Sequence, residues 1–327
     1  MAPLAGIPSL SIVVPVYNSA ATLPKLAERL HAVLTGIGLP FEVVLVEDGS
    51  RDESFEAIVA LARTRPWLRG FRLLRNFGQH NALLCGIRQA RNAVIVTLDD
   101  DLQNPPEEIP RLLAKLEEGF DVVYGTPEHE QHGLLRDLAS RITKLTLQKA
   151  MGADTARQVS AYRAFRTELR DAFADFGGHL VSIDVLLTWG TARFAALRVK
   201  HAPRAEGRSN YTVYMLVTHA LNMLTGFGTF PLQLASLTGF AFMLFGLAVF
   251  AYVLVSYAVR GSPVAGFPFL ASIIAVFSGA QLFAIGIIGE YLARVHFRIM
   301  DRPTYVVRAT TEAGAAGGSV AGGSAVR

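Results

Sequence analysis

The chain has 327 residues, 51% of them hydrophobic and 18% charged, with a net charge of +4 and a single cysteine. That length holds one large domain plus an appendage, and a lone Cys85 excludes an internal disulfide and fits a reducing compartment. With no long basic run, no zinc-ligand spacing and no basic stripe interleaved with aromatics, nucleic acid is not an expected partner.

The N-terminal stretch MAPLAGIPSLSIVVPVYN lacks a basic region followed by a long apolar run, so it does not read as a signal peptide, and the first domain is expected to stay in the cytosol. Through residue 126, short apolar runs alternate with amphipathic stretches. LSIVVPVY, FEVVLVED, FRLLRN, AVIVTLDD and FDVVYGT read as strands, nearly continuous in Val, Ile and Leu as strands buried on both faces are. Between them, 23–34, 52–62, 80–91 and 107–118 carry apolar residues at helical spacing, and Ser50 with Glu53 has capping-box spacing. Cys85 sits among apolar neighbours and reads as core. This alternation predicts an α/β fold with a doubly wound, mostly parallel sheet, whose ligands bind at the carboxyl ends of the strands.

After residue 126 come a polar loop (PEHEQHG), an amphipathic helix near 134–151 and a less regular segment to about 210. The uncharged stretch YTVYMLVTHALNMLTG predicts a helix lying in a membrane interface. No Asp, Glu, Lys or Arg occurs between Arg208 and Arg260, nor between Arg260 and Glu290. Each stretch exceeds the roughly 20 apolar residues that a bilayer crossing needs. Arg294, Arg298, Arg302 and Arg308 follow the second stretch while the intervening loop has one Arg, so both ends are expected in the cytoplasm. The expected organisation is a cytoplasmic catalytic domain at 1–210 and an interfacial helix at 211–228. Transmembrane helices follow at 229–259 and 267–293 around an extracytoplasmic loop at 260–266. A cytoplasmic juxtamembrane segment at 294–308 and a disordered tail at 309–327 complete the chain. The expected location is the inner (plasma) membrane, with more than one pass, and the basic charge suits anionic lipid.

The sharpest chemical signal is TLDDDLQNPPEE. Three aspartates ending a buried strand repel one another unless a cation neutralises them, and hard oxygen ligands suit Mg²⁺ or Mn²⁺. In an extended segment Asp99, Asp101 and Gln103 share one face and Asp100 points elsewhere. Other strand ends carry nucleotide-binding character: Pro15, Tyr17 and Asn18 in one, Glu47 and Asp48 in the next, where Gly49-Ser50 opens a helix able to favour phosphate. Each alone is weak; together they occupy one edge of one sheet.

In order along 9–308, VVPVYN, EDGSRDES, RNFGQH, DDDLQNPPEE, YRAFR, RAEGRSNY and GEYLARVHFRIMDRPTYVV resemble family 2 glycosyltransferases with a GT-A fold. More narrowly they resemble polyprenyl-phosphate glycosyltransferases, among them dolichol-phosphate mannose synthase and the bacterial undecaprenyl-phosphate glucosyl- and formyl-aminoarabinosyl-transferases. The resemblance implies a nucleotide-sugar donor, a UDP-sugar by the bacterial likeness, a polyprenyl phosphate acceptor, and a homo-oligomer such as a tetramer. It implies that Asp99, Asp101 and Gln103 hold metal and diphosphate, that Pro15, Tyr17, Asn18, Glu47 and Asp48 surround base and ribose, and that Asn76, Gln79 and Asp100 face the donor. Arg136, Ser140, Arg163, Arg204 and Arg208 match positions near the acceptor phosphate or the donor diphosphate, with Arg163 among the catalytic residues.

Two positions depart from the pattern. Ala161 stands where relatives often carry an acidic or small polar residue, and Asn210 where the family favours Lys. A phosphate acceptor, already ionised near neutral pH, tolerates the missing base at 161. Asp184 is the one competing acid, and it reads as a helix-surface carboxylate. A catalytically silent lipid-sugar-binding scaffold and a processive polysaccharide synthase are the alternatives. The synthase would need a Gln-x-x-Arg-Trp motif, and neither Trp67 nor Trp189 supplies one.

Overall fold

The structure is a computed structural model that describes residues 6–127, 159–178, 181–201, 230–260, 267–299 and 302–312. Two compact units divide the chain, one made of 1–212 with 301–327 and the other of 213–300.

The first unit is built on an eight-stranded sheet of order β7-β5-β6-β4-β1-β2-β3-β8. β1 (Leu10–Val16), β2 (Phe41–Glu47), β3 (Leu68–Leu73) and β4 (Val94–Thr97) pair in parallel, as the apolar runs predict. All seven residues of β1 are buried, which is what a central strand with helices on both faces requires. Helices α1 (Leu23–Ile37), α2 (Ser54–Thr64), α3 (Gln79–Gln89) and α4 (Ile109–Glu117) connect them within one or a few residues of the expected positions. α3 lies so close to the sheet that a Cβ at Gly86 would come 2.4 Å from Val13 Cγ1. That approach fixes the start of α3, and with it Gln79, at the carboxyl edge.

Three strands lie beyond the predicted set. β5 (Val122–Pro127) was expected, but its neighbours β6 (Arg163–Arg166) and β7 (Phe194–Val199) fall in the segment read as irregular. β6 runs antiparallel to both β4 and β5, and its sequence RAFR is too short and too charged to announce a buried strand. α5 (Ile183–Gly190) precedes β7.

β8 (Val307–Thr310) overturns the expected tail, which begins too early at 309. It adds antiparallel to the edge of β3, and Thr311 N–H donates to Gly70 O at 3.0 Å while Thr311 Oγ1 accepts from Gly70 N–H at 2.9 Å. Charge completes the latch: Arg69 reaches the Glu42 carboxylate at 2.7 Å and Glu312 at 2.7 Å. Glu42 also accepts from Ser11 Oγ and Arg91 N–H, each at 2.7 Å. The small residues of this segment suggest disorder by composition, but backbone pairing needs no large side chains, and the segment's own Glu312 reaches Arg69 of β3.

Breaking the buried half of this network should cost far more than breaking its exposed half. Arg69→Ala strands Glu42, and is expected to lower stability by about 3 kcal/mol. Glu312→Gln removes a partner that is 47% exposed, and should cost no more than about 1 kcal/mol. Denaturant unfolding of the two variants reads the difference; equal, small losses would show that the latch contributes nothing.

The capping box also differs. α2 begins at Ser54 without a side-chain cap from its N-cap Glu53. Asp52 Oδ1 accepts from Ser54 N–H at 3.2 Å and Ser54 Oγ–H at 2.6 Å, which leaves Ser50 for another loop.

The second unit consists of α6 (Phe230–Arg260, 31 residues) and α7 (Phe267–Ile299, 33 residues). They pack together through Phe242 and Phe277, whose ring centroids lie 5.7 Å apart. Counted over the described residues alone, no helix is long and apolar enough to cross a membrane. Several side chains within both helices fall outside that description, whereas the full sequence has no charged residue between Phe230 and Val259 or between Phe267 and Gly289. The interfacial helix at 211–228, the loop at 261–266 and the tail from 313 lie outside the described residues.

Candidate functional site

Four loops leave the carboxyl ends of β1 to β4, and each is tied to another by side-chain hydrogen bonds. From the first, Asn18 N–H donates to Ser50 Oγ at 3.0 Å and Asn18 Oδ1 accepts from Arg51 N–H at 2.8 Å. Asn18 takes a left-handed φ of 54°, which aims its side chain at the second loop. Within that loop Ser50 N–H donates to Glu47 Oε1. Gly49, at φ 67°, could bear no side chain, since a Cβ would lie 2.3 Å from Asn76 N. Asp48 clamps the third loop by accepting from Phe77 N–H at 2.7 Å and Gly78 N–H at 2.8 Å. Burial raises the Asp48 pKa above the usual carboxylate value, and these two donors oppose the rise.

The aspartate loop closes the ring. Gln79 Nε2, at the start of α3, donates to Asp99 Oδ1 at 2.7 Å, and Asn104 Nδ2 lies 3.4 Å from Asp99 Oδ2. Asp100 Oδ2 accepts from Tyr17 N–H at 3.0 Å. Burial pushes the Asp100 pKa up, while bonds from Ser19 and the Tyr17 amide pull it down. Asp101 Oδ1 accepts from Gln103 N–H at 3.1 Å. Residues 99–103 are therefore a turn, with Leu102 at φ 62°, rather than the extended segment used to place them. Asp100 is the one of the three aspartates whose carboxylate holds the Tyr17 loop.

The expected site residues thus separate by accessibility. Tyr17, Asn18, Asn76 and Gln79 are exposed along the edge, and Asp99, Asp101 and Gln103 are half-buried in the turn. Pro15 is buried within β1, and Glu47 is fully buried, with Arg72 Nε 3.2 Å from its Oε2. Those two build the walls rather than meet a base or ribose. Arg136, Ser140, Arg204 and Arg208 lie outside the described residues. Cys85 is buried, and burial pushes its thiol up to about 12, which agrees with a core residue.

Arg163 corrects the sequence reading most. It is 1% exposed, and its Nη1 donates to Asp184 Oδ1 at 2.5 Å. Tyr124 Oη donates to the same oxygen at 3.1 Å, and Arg163 Nε faces Ala161 O at 3.4 Å. Asp184 is thus a buried carboxylate inside a pair, not a helix-surface group. Nothing in the sequence brings these together, because 21 residues separate Arg163 from Asp184 and 60 separate Tyr124 from it.

Among the described residues no group of three or more His, Cys, Asp or Glu side chains is placed to hold a metal. Mg²⁺ ordinarily takes one or two protein carboxylates and completes its shell with water and substrate phosphate. Asp99 and Asp101, the latter accepting from the Gln103 backbone N–H, are the residues of this turn that could hold such an ion.

A model described as glycosyl transferase family 2 matches residues 11–173. An undecaprenyl-phosphate 4-deoxy-4-formamido-L-arabinose transferase of Pseudomonas aeruginosa is 37% identical over 311 residues, which is 93% of this chain and 92% of that protein. The chain belongs to glycosyl transferase family 2. It is a glycosyltransferase. The like-named protein of Yersinia enterocolitica is 36% identical over 92% of this chain and 93% of its own length. Among solved structures, glucosyl-3-phosphoglycerate synthase of Mycobacterium tuberculosis, in complex with Mn²⁺, UDP and glucosyl-3-phosphoglycerate, superposes with a TM-score of 0.50. At 20% identity over 68% of this chain and 80% of that one, it shares the fold of the transferase.

Proposed function

We propose that this transferase moves a sugar from a UDP-linked donor to undecaprenyl phosphate, with inversion, at the cytoplasmic face of a membrane. The observation that carries this is the 37% identity over 93% of the chain with an undecaprenyl-phosphate transferase. Coverage that high cannot omit α6 and α7, so the likeness extends through the helix pair as well as the sheet.

The donor diphosphate belongs at the Asp99–Asp101 turn, where Mg²⁺ or Mn²⁺ would supply Lewis-acid stabilisation of the departing nucleotide. Tyr17, Asn18, Asn76 and Gln79 offer ring and amide groups along the same edge. The acceptor needs no protein base. A phosphate monoester has a second pKa of about 6, so its oxygen is an ionised nucleophile at neutral pH. What it needs is orientation and compensating charge, for which Arg136, Ser140, Arg204 and Arg208 are the candidates.

The helix pair is read as a transmembrane hairpin. At about 1.5 Å per residue each helix is long enough for a hydrocarbon core of about 30 Å. Leu237, Phe245, Tyr252, Ile274, Leu282 and Phe283 are exposed along it, a density of apolar surface that water does not tolerate without cover. The basic residues Arg294, Arg298, Arg302 and Arg308 support a cytoplasmic side for the following segment, and for the catalytic unit with it.

The test is purified protein offered a panel of nucleotide-sugars with a short polyprenyl phosphate. Formation of a lipid-phosphate sugar is expected, falling as pH drops below about 6 where the acceptor takes up its second proton. Efficient glycosylation of the free polyprenol would overturn the mechanism, and absence of turnover across the panel would favour a silent scaffold. Labelling a cysteine at position 262 only from the cytoplasmic side would refute the hairpin.

A further inference from the structure

Exposed apolar side chains are few in the catalytic unit, and they are unevenly placed. Among its described residues the large ones are Tyr17 (42% exposed), Leu74 (55%), Trp189 (49%) and Val306 (37%). Three of these four lie at the carboxyl edge of the sheet, just past β1, just past β3 and just before the antiparallel β8. Tyr17 belongs to the site loop already described. Leu74 and Val306 form a separate pair, joined by a hydrogen bond from Leu74 N–H to Val306 O at 2.9 Å.

We infer that this rim, with Leu74 and Val306 at its crest, is the surface by which the catalytic unit rests on an anionic phospholipid bilayer. The inference depends on the membrane reading proposed above and adds which face of the unit meets lipid. Its charge supports that occupant. Neither the chain from Leu68 to Gln79 nor that from Arg302 to Thr311 contains an acidic residue, and together they carry five arginines, Arg69, Arg72, Arg75, Arg302 and Arg308. Arg69 and Arg72 are bound to glutamates, and Arg75, next to Leu74 in the chain, is exposed. The Arg75 guanidinium lies 4.6 Å from the centre of the Phe77 ring, so aliphatic, aromatic and cationic groups meet at one place. That mixture suits the headgroup layer, where apolar tips sink below the phosphates and arginines stay among them. Covalent connection agrees: α7 ends at Ile299 and β8 begins at Val307, so a crossing by α7 returns the chain to this edge within a few residues.

The consequence concerns the acceptor. The Leu74 loop runs directly into Asn76 and Gln79, and Gln79 holds Asp99. A lipid phosphate leaving the headgroup layer at this rim therefore meets the donor site without crossing open water.

Buried Cys85 makes the test simple, because an introduced cysteine is the only reactive thiol. Full-length Leu74→Cys, Val306→Cys and Thr35→Cys variants are labelled with an environment-sensitive fluorophore. They are reconstituted in vesicles of phosphatidylethanolamine and phosphatidylglycerol. Thr35 lies exposed near the far end of α1, away from the carboxyl edge. Emission from positions 74 and 306 should shift to the blue and lose most of its intensity when spin-labelled lipid is included. Emission from position 35 should do neither, and the effect should weaken in phosphatidylcholine alone. If the protein floats with alkali-washed vesicles but all three positions behave alike, the rim assignment is wrong while the membrane reading stands. Protein that does not float overturns both.

Discussion

Asp99→Asn and Asp101→Asn are each expected to lower kcat/KM by roughly 10²-fold or more, with little change in unfolding temperature. Each substitution removes a charged ligand from a turn that is half-exposed, so the fold loses little. Lewis-acid stabilisation worth several kcal/mol converts at about 1.4 kcal/mol per tenfold into a loss of that size. Asp100→Asn is the informative contrast. Its neighbour Tyr17 N–H needs only an acceptor at 3.0 Å, which an amide oxygen supplies, so the loop join survives and the loss should stay within about tenfold. Initial rates with Mg²⁺, Mn²⁺ and excess chelator separate the cases. Full activity in chelator, or an Asp100 variant as inactive as its neighbours, would remove the metal from the Asp99–Asp101 pair.

That contrast also marks what sequence could and could not reveal. The parallel strands β1, β2 and β4 were legible because two-sided burial writes itself as nearly unbroken Val, Ile and Leu, whereas β3, Leu68–Leu73 with two arginines in it, begins three residues before the run FRLLRN that announces it. The carboxyl-edge position of the polar motifs followed from their place after each run. What escaped was the division of labour among neighbouring polar residues. Glu47 and Asp48 are adjacent and both acidic, yet one is sealed beneath the loop and the other clamps two amides. Asp99 and Asp100 differ in the same way. Such roles depend on backbone turns such as that at Leu102, which leave no periodic signal. β6 and β8 were missed for a related reason: four-residue antiparallel strands are specified by partners far along the chain, not by their own composition.

Asp184→Asn is expected to destabilise the protein by about 3 kcal/mol, while turnover per folded molecule falls by less than about tenfold. Asp184 is the acid that a base-dependent mechanism would have to use. Its contacts argue otherwise. One oxygen takes both the Arg163 guanidinium, at 2.5 Å, and the Tyr124 hydroxyl, at 3.1 Å. Arg163 is itself 1% exposed, so removing the negative charge strands a buried cation. An Arg163→Leu, Asp184→Leu double variant removes both charges and should recover much of the lost stability, as buried pairs exchanged for apolar groups commonly do. A general base contributes about 10² to 10⁴ in rate. Thermal unfolding and active-site-normalised kinetics of the single variant therefore decide between the roles. A loss of turnover in that range, with unfolding unchanged, would make Asp184 the base and end the claim that the lipid phosphate acts on its own charge.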